Sequence, residues 1–385
     1  MSADTTVAPE RAPAPAAGPS RVARFLRPNP LLLLALPLVL LYLPRFVQNT
    51  TLLQTIAVGT VFVMFAASWD ILSGYTGQVN FGHAAFIGVG AYTVALLSKY
   101  NPDVSNELAL LAAVATASLL GLAIGVPCLR LKGPYLALAT LSVAGALVQL
   151  TFIYKSQTGG EDGIAGVKTV VDGAVTNGIG EGLAKLVLGP LTFDSQVGFD
   201  KYIYVSYFSA LVLMVVMVGG LMLLGYGKRG LVLRSIQQDE LAAEAAGVPL
   251  TRYKLAAFVL SAACAGLAGG FYAQVQGTVA LNLLGVDLSL LIIIIAAFGG
   301  DGSIIGPALG AYAVILLQNY YLDRASETFV EHPELKLGSF ALLLIVVLIV
   351  QPRGLVPPLL QKLSGRGSST RAAGATMTEG GGAKP

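Results

Sequence analysis

Long apolar runs separated by short polar stretches dominate the chain between residues 31 and 351. A run of about 20 apolar residues can cross the hydrocarbon core of a bilayer as a helix. Ten segments approach this length, although 284–300 and 337–351 are short. They are 31–47, 52–72, 77–98, 108–127, 134–154, 202–224, 255–277, 284–300, 303–322 and 337–351. The pattern predicts an all-α, polytopic bundle of about ten transmembrane helices.

The composition supports this prediction. Charged residues make up 12% of the 385 residues and hydrophobic residues 55%, whereas a soluble domain carries about 25% charged residues. So few charges cannot cover the surface of a soluble protein, and the high hydrophobicity excludes disorder for most of the chain. The net charge of +3 does not indicate nucleic-acid binding. Cys128 and Cys264 lie in apolar stretches and suggest neither a disulfide framework nor a metal site.

The distribution of lysine and arginine predicts the orientation in the membrane. If the N-terminus is inside and ten spans alternate, the cytoplasmic segments hold 16 of these residues and the external segments hold 8. Cytoplasmic loops carry such an excess of positive charge. We therefore expect both termini to be cytoplasmic. Segment 155–201 is then an external loop and segment 225–253 is a cytoplasmic loop.

The two ends of the chain differ from the apolar middle. Residues 1–30 are rich in alanine and proline, and residues 359–385 are rich in glycine and serine. We expect both to be disordered cytoplasmic tails, which leaves 31–358 as the membrane domain. Within the external loop, the stretch 181–188 predicts a short helix lying on the membrane surface.

The cytoplasmic loop contains a predicted helix from Leu231 to Ala246, because its residues are good helix formers. Gly247 follows where a left-handed cap would end the helix, and Pro249 prevents its continuation. Acidic residues alternate with alanines near its end, and small side chains allow another surface to approach closely. The helix is either a solvated connection along the headgroups or a docking helix that transmits motion from a cytoplasmic partner.

The segment Asp239–Gly247, with sequence DELAAEAAG, is similar to the EAA-type coupling loop of ATP-binding-cassette import permeases. In that loop, an acidic-Ala-Ala segment precedes a glycine and inserts into a cleft of the ATPase subunit. The surrounding stretch resembles the M-type permease subunit of the branched-chain amino acid (Leu/Ile/Val) uptake family. Further similar segments are 74–92, 132–141, 158–163, 299–311 and 352–355, in the order of that family.

The resemblance implies a function and a set of partners. The residues it assigns to ATPase coupling are Asp239, Glu240, Ala242, Ala243, Glu244 and Gly247. The implied partners are a second related permease subunit, two cytoplasmic ATPase subunits and an external solute-binding protein, assembled in a bacterial inner membrane. The chain itself would catalyse no reaction and bind no cofactor, and ATP would be used by the partner subunits. In agreement, no GxxxxGK[ST] motif occurs in the sequence.

The expected cargo is a branched-chain amino acid, with urea, short-chain amides or other amino acids as alternatives. An ion-coupled secondary transporter acting alone is an alternative of another class. Such a transporter should contain buried acid–base pairs, and Asp70 and His83 are the only ionisable residues that we place deep in a span. A membrane-embedded enzyme is disfavoured because no catalytic cluster is apparent.

Three polar residues at the start of the third predicted span, Gln78, Asn80 and His83, are candidates for the solute path. Ionisable residues inside spans are often functional, since burying a charge is unfavourable. The alternative for His83 is a neutral ring bonded to a backbone carbonyl of an adjacent helix. For Asp70, beside Trp69 at the inner end of the second span, the alternative is contact with the headgroups.

Glycines recur at four-residue spacing in several spans, which places them on one helix face. The sets are Gly121 and Gly125, Gly266 and Gly270, and Gly302, Gly306 and Gly310. Such faces permit close helix packing, and hinge motion during transport is the alternative role. The similarity of Gly82–Tyr92 to Gly302–Tyr312 suggests a parallel internal repeat.

Overall fold

The computed structural model describes residues 30–328, apart from 48, 132, 190–192, 194–198, 301 and 303–304, together with residue 342. The predicted tails 1–30 and 359–385 lie outside the described residues, apart from Pro30. The predicted span 337–351 also lies outside them, apart from Leu342.

The described residues form helices joined by short irregular segments. The first five helices are α1 (Pro30–Phe46), α2 (Thr50–Thr76), α3 (His83–Tyr100), α4 (Asn106–Cys128) and α5 (Pro134–Ile153). The next five are α6 (Lys155–Thr158), α7 (Ala174–Leu188), α8 (Phe199–Tyr226), α9 (Lys228–Gln238) and α10 (Glu240–Ala245). The last three are α11 (Leu250–Gln276), α12 (Val286–Gly299) and α13 (Ile305–Thr328). Two short strands, β1 (Ile164–Ala165) and β2 (Thr278–Val279), and two 3₁₀ turns, Val170–Asp172 and Leu281–Leu284, complete the fold.

Five of the described helices, α2, α4, α5, α8 and α11, are long and apolar enough to cross a membrane. Helices α1, α12 and α13 contain shorter apolar stretches. Each of the first nine predicted segments coincides with one helix, namely α1 to α5, α8, α11, α12 or α13. The protein is therefore an all-α, multi-pass membrane bundle.

Helix α2 lies at the centre of the bundle and packs against α8, α11 and α13. Helix α11 also packs against α3 and α4. Small residues allow these close approaches: a Cβ at Gly266 would lie 2.3 Å from Ala117 Cβ, and one at Gly270 would lie 2.9 Å from Val94 Cγ2. Lipid chains are as apolar as leucine, so the hydrophobic effect does not drive helices together inside a bilayer. Close van der Waals contact is therefore a main source of helix association there.

The glycines near the C-terminal end of the described chain pack in two different ways. A Cβ at Gly310 would lie 2.4 Å from the carbonyl oxygen of Ile295. A Cβ at Gly299 would lie 1.9 Å from the carbonyl oxygen of Gly306. Gly302 is not on the helix face that its spacing predicts. It precedes α13 and has a φ of 76°, a conformation that glycine adopts without steric strain.

The segments that connect the helices lie in two groups, one at each end of the bundle. At one end, β1 pairs with β2 in an antiparallel register, with Ile164 opposite Val279. At the same end, Asn106 donates to the carbonyl oxygen of Thr169 (2.6 Å), and Gln274 donates to that of Asn106 (3.1 Å). Segments 77–82, 227–249 and the residues around 302 meet at the opposite end. This grouping agrees with the alternating orientation that the charge distribution predicts.

Two helix boundaries differ from the prediction. The single predicted helix 231–246 is broken at Asp239, whose extended backbone (φ −157°, ψ 107°) ends α9 and whose side chain caps α10. The predicted third span, 77–98, begins as a helix only at His83. Gly77, with a φ of 72°, ends α2, and residues 78–82 form an irregular connection that we call the α2–α3 junction.

Candidate functional site

Helix α9 is attached to the C-terminal end of α2. Leu233 and Ile236 are buried against the bundle. Arg234 donates from Nη2 to the hydroxyl of Tyr75 (3.0 Å), and its guanidinium carbon lies 4.6 Å from the centroid of the same ring. The combination of a hydrogen bond and a cation–π contact fixes α9 to the last turn of α2.

Helix α10 is a short, separately capped unit. Asp239 accepts a hydrogen bond from the backbone N–H of Ala242 (3.0 Å) and caps its start. At its end, the N–H of Val248 donates to the carbonyl of Ala243 (3.1 Å), and the N–H of Gly247 donates to that of Glu244 (2.9 Å). Gly247 has a φ of 83°, so the end is a Schellman motif. The predicted left-handed cap is thereby confirmed.

The two faces of α10 have different environments. Ala243 is buried, and Glu240 is partly buried on the same face. The residues exposed on the outer side are Asp239, Leu241, Ala242, Glu244, Ala245, Ala246 and Gly247. Leu241 is 73% exposed, although our sequence interpretation did not single it out. A lone leucine among acidic residues and alanines is the sequence signal for such an apolar contact point.

Glu240 links α10 to the membrane helices. Its Oε1 accepts hydrogen bonds from Lys254 Nζ (2.6 Å) and from Gln78 Nε2 (3.1 Å). Lys254 lies near the start of α11, and its side chain is only 9% exposed. A buried ammonium group requires such a partner, because an uncompensated charge there is strongly destabilising.

The α2–α3 junction is held in place by buried polar contacts from α2. Ser73 donates from Oγ to the carbonyl of Gln78 (3.0 Å), and Trp69 donates from Nε1 to the carbonyl of Asn80 (2.9 Å). Asn80 in turn accepts from the N–H of Gly82 (2.9 Å). The junction is also close to α5, since a Cβ at Gly82 would lie 2.0 Å from the carbonyl oxygen of Thr140.

His83 is fully buried at the start of α3, where its Nε2 lies 2.8 Å from Ser68 Oγ. The hydroxyl of Ser68 donates to the carbonyl of Phe65 (2.7 Å), so Nε2 is the donor to Ser68, and Nδ1 of a neutral ring is an acceptor. His83 thus contacts α2 through the hydroxyl of Ser68 and the backbone carbonyl of Phe65, which agrees with the expectation of a ring bonded to an adjacent helix. Among the described residues, Asn80 Nδ2 and His83 Nδ1 are buried without a hydrogen-bond partner.

Asp70 does not reach the headgroups, contrary to one interpretation of the sequence. Its side chain is fully buried, and its Oδ1 accepts a hydrogen bond from the N–H of Gly302 (2.6 Å). A buried carboxylate is retained only where hydrogen bonds compensate for its lost hydration. Asp70 therefore joins the C-terminal part of α2 to the connection between α12 and α13.

The structure brings Gln78, Asn80 and His83 together at one junction and places the exposed face of α10 next to it. The glycines 266, 270, 306 and 310 lie elsewhere, in helix contacts. In the described part of the chain, no group of three histidine, cysteine, aspartate or glutamate side chains is arranged to hold a metal ion. The arrangement can offer a short exposed helix to a protein and connect it to buried polar groups.

A bundle of apolar helices with an exposed helix at one end defines the chain as a multi-pass membrane protein. Residues 51–348 match the family described as the permease component of the branched-chain amino acid transport system. The chain belongs to this family, whose members are transporter components.

Curated relatives agree with this assignment. The chain is 30% identical over 323 residues to the high-affinity branched-chain amino acid transport system permease protein LivM of Salmonella typhimurium, covering 81% of this chain and 72% of that protein. It is 25% identical to a probable branched-chain amino acid transport permease protein LivH of Methanocaldococcus jannaschii, covering 83% and 95%. No solved structure matches the chain.

Proposed function

We propose that the chain is the transmembrane permease subunit of an ATP-binding-cassette importer for branched-chain amino acids. It would cross a bacterial inner membrane about ten times, with both termini and segment 225–253 in the cytoplasm. The observation that supports the proposal is the exposed face of α10, a separately capped helix at one end of the bundle.

The proposed partners follow from this geometry and from the family. Two cytoplasmic ATPase subunits would bind α10 of this chain and of a second, related permease subunit, and an external binding protein would deliver the solute. Leu241 would enter an apolar pocket on the ATPase, with Glu244 beside it at the rim, since buried apolar anchors dominate protein interfaces. ATP would be bound and hydrolysed on the partner subunits, and this chain would bind no cofactor.

In the proposed mechanism, closure of the ATPase pair displaces α10. The displacement would reach the α2–α3 junction, where Gln78, Asn80 and His83 are candidates for the solute path. The bundle would then change between outward-open and inward-open arrangements around the solute. Two packed arrangements with a small free-energy difference are sufficient for such a change, provided that nucleotide favours one of them.

The experiment compares two substitutions in the α10 segment with a charge reversal at the other end of the bundle. We expect the variants Glu244→Lys and Gly247→Asp to remain in the membrane but to lose leucine uptake and co-purification of the ATPase. Glu244→Lys reverses an exposed charge on α10, and Gly247→Asp strains the left-handed cap. The control, Asp103→Lys, makes a similar reversal at an exposed position before α4 and should retain both activities.

Uptake and ATPase binding at the control level in both α10 variants would contradict the proposed docking role. Leucine uptake by the purified chain alone, driven by an ion gradient, would instead support a secondary transporter. Competition for leucine uptake by isoleucine and valine, but not by urea or short-chain amides, is the expected result for the cargo.

A further inference from the structure

Glu240 belongs to the segment that resembles the coupling loop, but its carboxylate does not point towards a cytoplasmic partner. Its Oε1 is occupied by Lys254 Nζ at 2.6 Å and Gln78 Nε2 at 3.1 Å. The neighbouring residues Leu241 and Glu244 are the ones that point outward. The segment therefore has two groups of residues with different contacts.

Helix α10 is not a continuation of α9. Asp239 between them is extended, with a φ of −157° and a ψ of 107°, so no continuous helix joins the two. Arg234 fixes α9 to Tyr75, but this contact lies before the break. A displacement of α10 can therefore reach the α2–α3 junction through the side-chain contact on its inner face, from Glu240 to Gln78.

Gln78 is well placed to receive such a displacement. Its side chain is buried, and its own carbonyl oxygen accepts a hydrogen bond from Ser73 on α2. Two residues later, Asn80 is fully buried and has a side-chain nitrogen without a partner among the described residues. A shift of Gln78 therefore changes the position of the buried polar groups that follow it.

We infer that Gln78 and Glu240 form a coupling link, in which Glu240 is a positioning residue that transmits movement of α10 to the α2–α3 junction. The inference rests on the proposed function, since α10 must first be moved by an ATPase. Lys254 holds the Glu240 carboxylate in the orientation that Gln78 requires. Loss of the link should separate ATP hydrolysis from transport without detaching the ATPase.

The first test is Gln78→Leu, which removes the hydrogen bond and keeps the ion pair between Glu240 and Lys254. The complete transporter is reconstituted in lipid vesicles, and leucine uptake and ATP hydrolysis are measured on the same preparation. We expect uptake to fall about 3- to 30-fold, the range for a residue that carries coupling energy. Hydrolysis by the assembled complex should change less than about twofold, as a role confined to coupling would require.

The matched control is Gln276→Leu, which changes an exposed glutamine at the opposite end of α11 and should leave both rates unaltered. Unchanged uptake in Gln78→Leu would overturn the link. So would uptake and hydrolysis that fall in the same proportion, because that result indicates a purely structural role. In both cases, a wild-type complex that contains ATPase and transports leucine leaves the proposed function intact.

A reciprocal exchange decides the question if Gln78→Leu does not assemble. Gln78→Glu alone places a second carboxylate against Glu240 and should lower the uptake per ATP hydrolysed. Adding Glu240→Gln restores a donor–acceptor pair and the original net charge, so the double variant should recover most of that ratio. A double variant that transports no more leucine per ATP than Gln78→Glu would refute the link.

Discussion

Helices α2 and α5 are both apolar enough to span a membrane, but their surroundings are opposite. Within an apolar stretch of 18 residues in each helix, 89% of the stretch in α2 is buried inside the bundle, against 28% of the stretch in α5. Helix α5 is nevertheless the more apolar of the two. In a membrane protein, therefore, apolar character does not identify the helix at the centre.

The physical reason is that lipid chains are as apolar as leucine, so a helix gains little by exchanging lipid for protein on an aliphatic face. Small and polar residues have the opposite preference, because they gain hydrogen bonds and close contacts only inside the bundle. Helix α2 has Thr60, Ser68, Asp70 and Ser73 among its buried residues. Such residues indicate which span is central.

Truncating a leucine should give the largest difference between the two helices. Leu53 of α2 is fully buried, whereas Leu138 of α5 is 58% exposed. We expect Leu53→Ala to lower the free energy of unfolding by about 2–5 kcal/mol, because it leaves a cavity. Leu138→Ala should change it by less than about 0.5 kcal/mol. Reversible unfolding of the detergent-solubilised chain in sodium dodecyl sulfate measures both values, and equal losses would remove the distinction.

Adding a methyl group should give an intermediate difference. A Cβ at Gly74 of α2 would lie 2.0 Å from Asp70 Oδ1 and 2.7 Å from the backbone nitrogen of Gly302. A Cβ at Gly145 of α5 would instead occupy open space. Gly74→Ala should therefore displace the Asp70–Gly302 hydrogen bond and destabilise the chain by about 1–3 kcal/mol. Gly145→Ala should be neutral or slightly stabilising, because alanine favours the helix. Thermal denaturation in detergent compares the variants, and a stable Gly74→Ala protein would be evidence against the tight contact.

Removing a single hydroxyl should give the smallest difference. Tyr75 in the last turn of α2 accepts a hydrogen bond from Arg234, whereas Tyr135 of α5 is 68% exposed. Tyr75→Phe keeps the ring contact and should lower stability by about 1 kcal/mol, with Tyr135→Phe as the silent control. Faster proteolysis of segment 227–249 in Tyr75→Phe alone would locate the effect at α9. The same protection in both variants would mean that the hydroxyl does not hold this helix.

The apolar pattern alone located nine helices of the bundle, because run length is a strong signal for a membrane helix. It did not predict the break at Asp239, since propensities favour a continuous helix from Leu231 to Ala246. Two contacts stabilise the broken helix: the capping hydrogen bond from the N–H of Ala242 to Asp239, and the ion pair between Glu240 and Lys254. The first is a local contact, but the second joins residues 14 positions apart, which propensity does not capture.

The candidate site was predictable in position but not in connectivity. Gly247 could be assigned a left-handed cap from its place before Pro249, and the structure has that cap. The hydrogen bond between Gln78 and Glu240 joins residues 162 positions apart, and no local pattern contains this information. For the same reason, the sequence suggested contact of Asp70 with the headgroups, whereas its buried carboxylate accepts a hydrogen bond from the distant backbone N–H of Gly302.

Strand β2 follows α11 directly, and this short pairing has a mechanical consequence. Helix α11 is 27 residues long, which corresponds to about 40 Å at 1.5 Å per residue. Lys254 near its start contacts Glu240 of α10, and the strand after its last turn pairs with β1 at the opposite end of the bundle through Val279 and Ile164. A tilt of this helix would therefore move the contacts at both ends of the bundle at the same time, and no other element would be needed to transmit the movement.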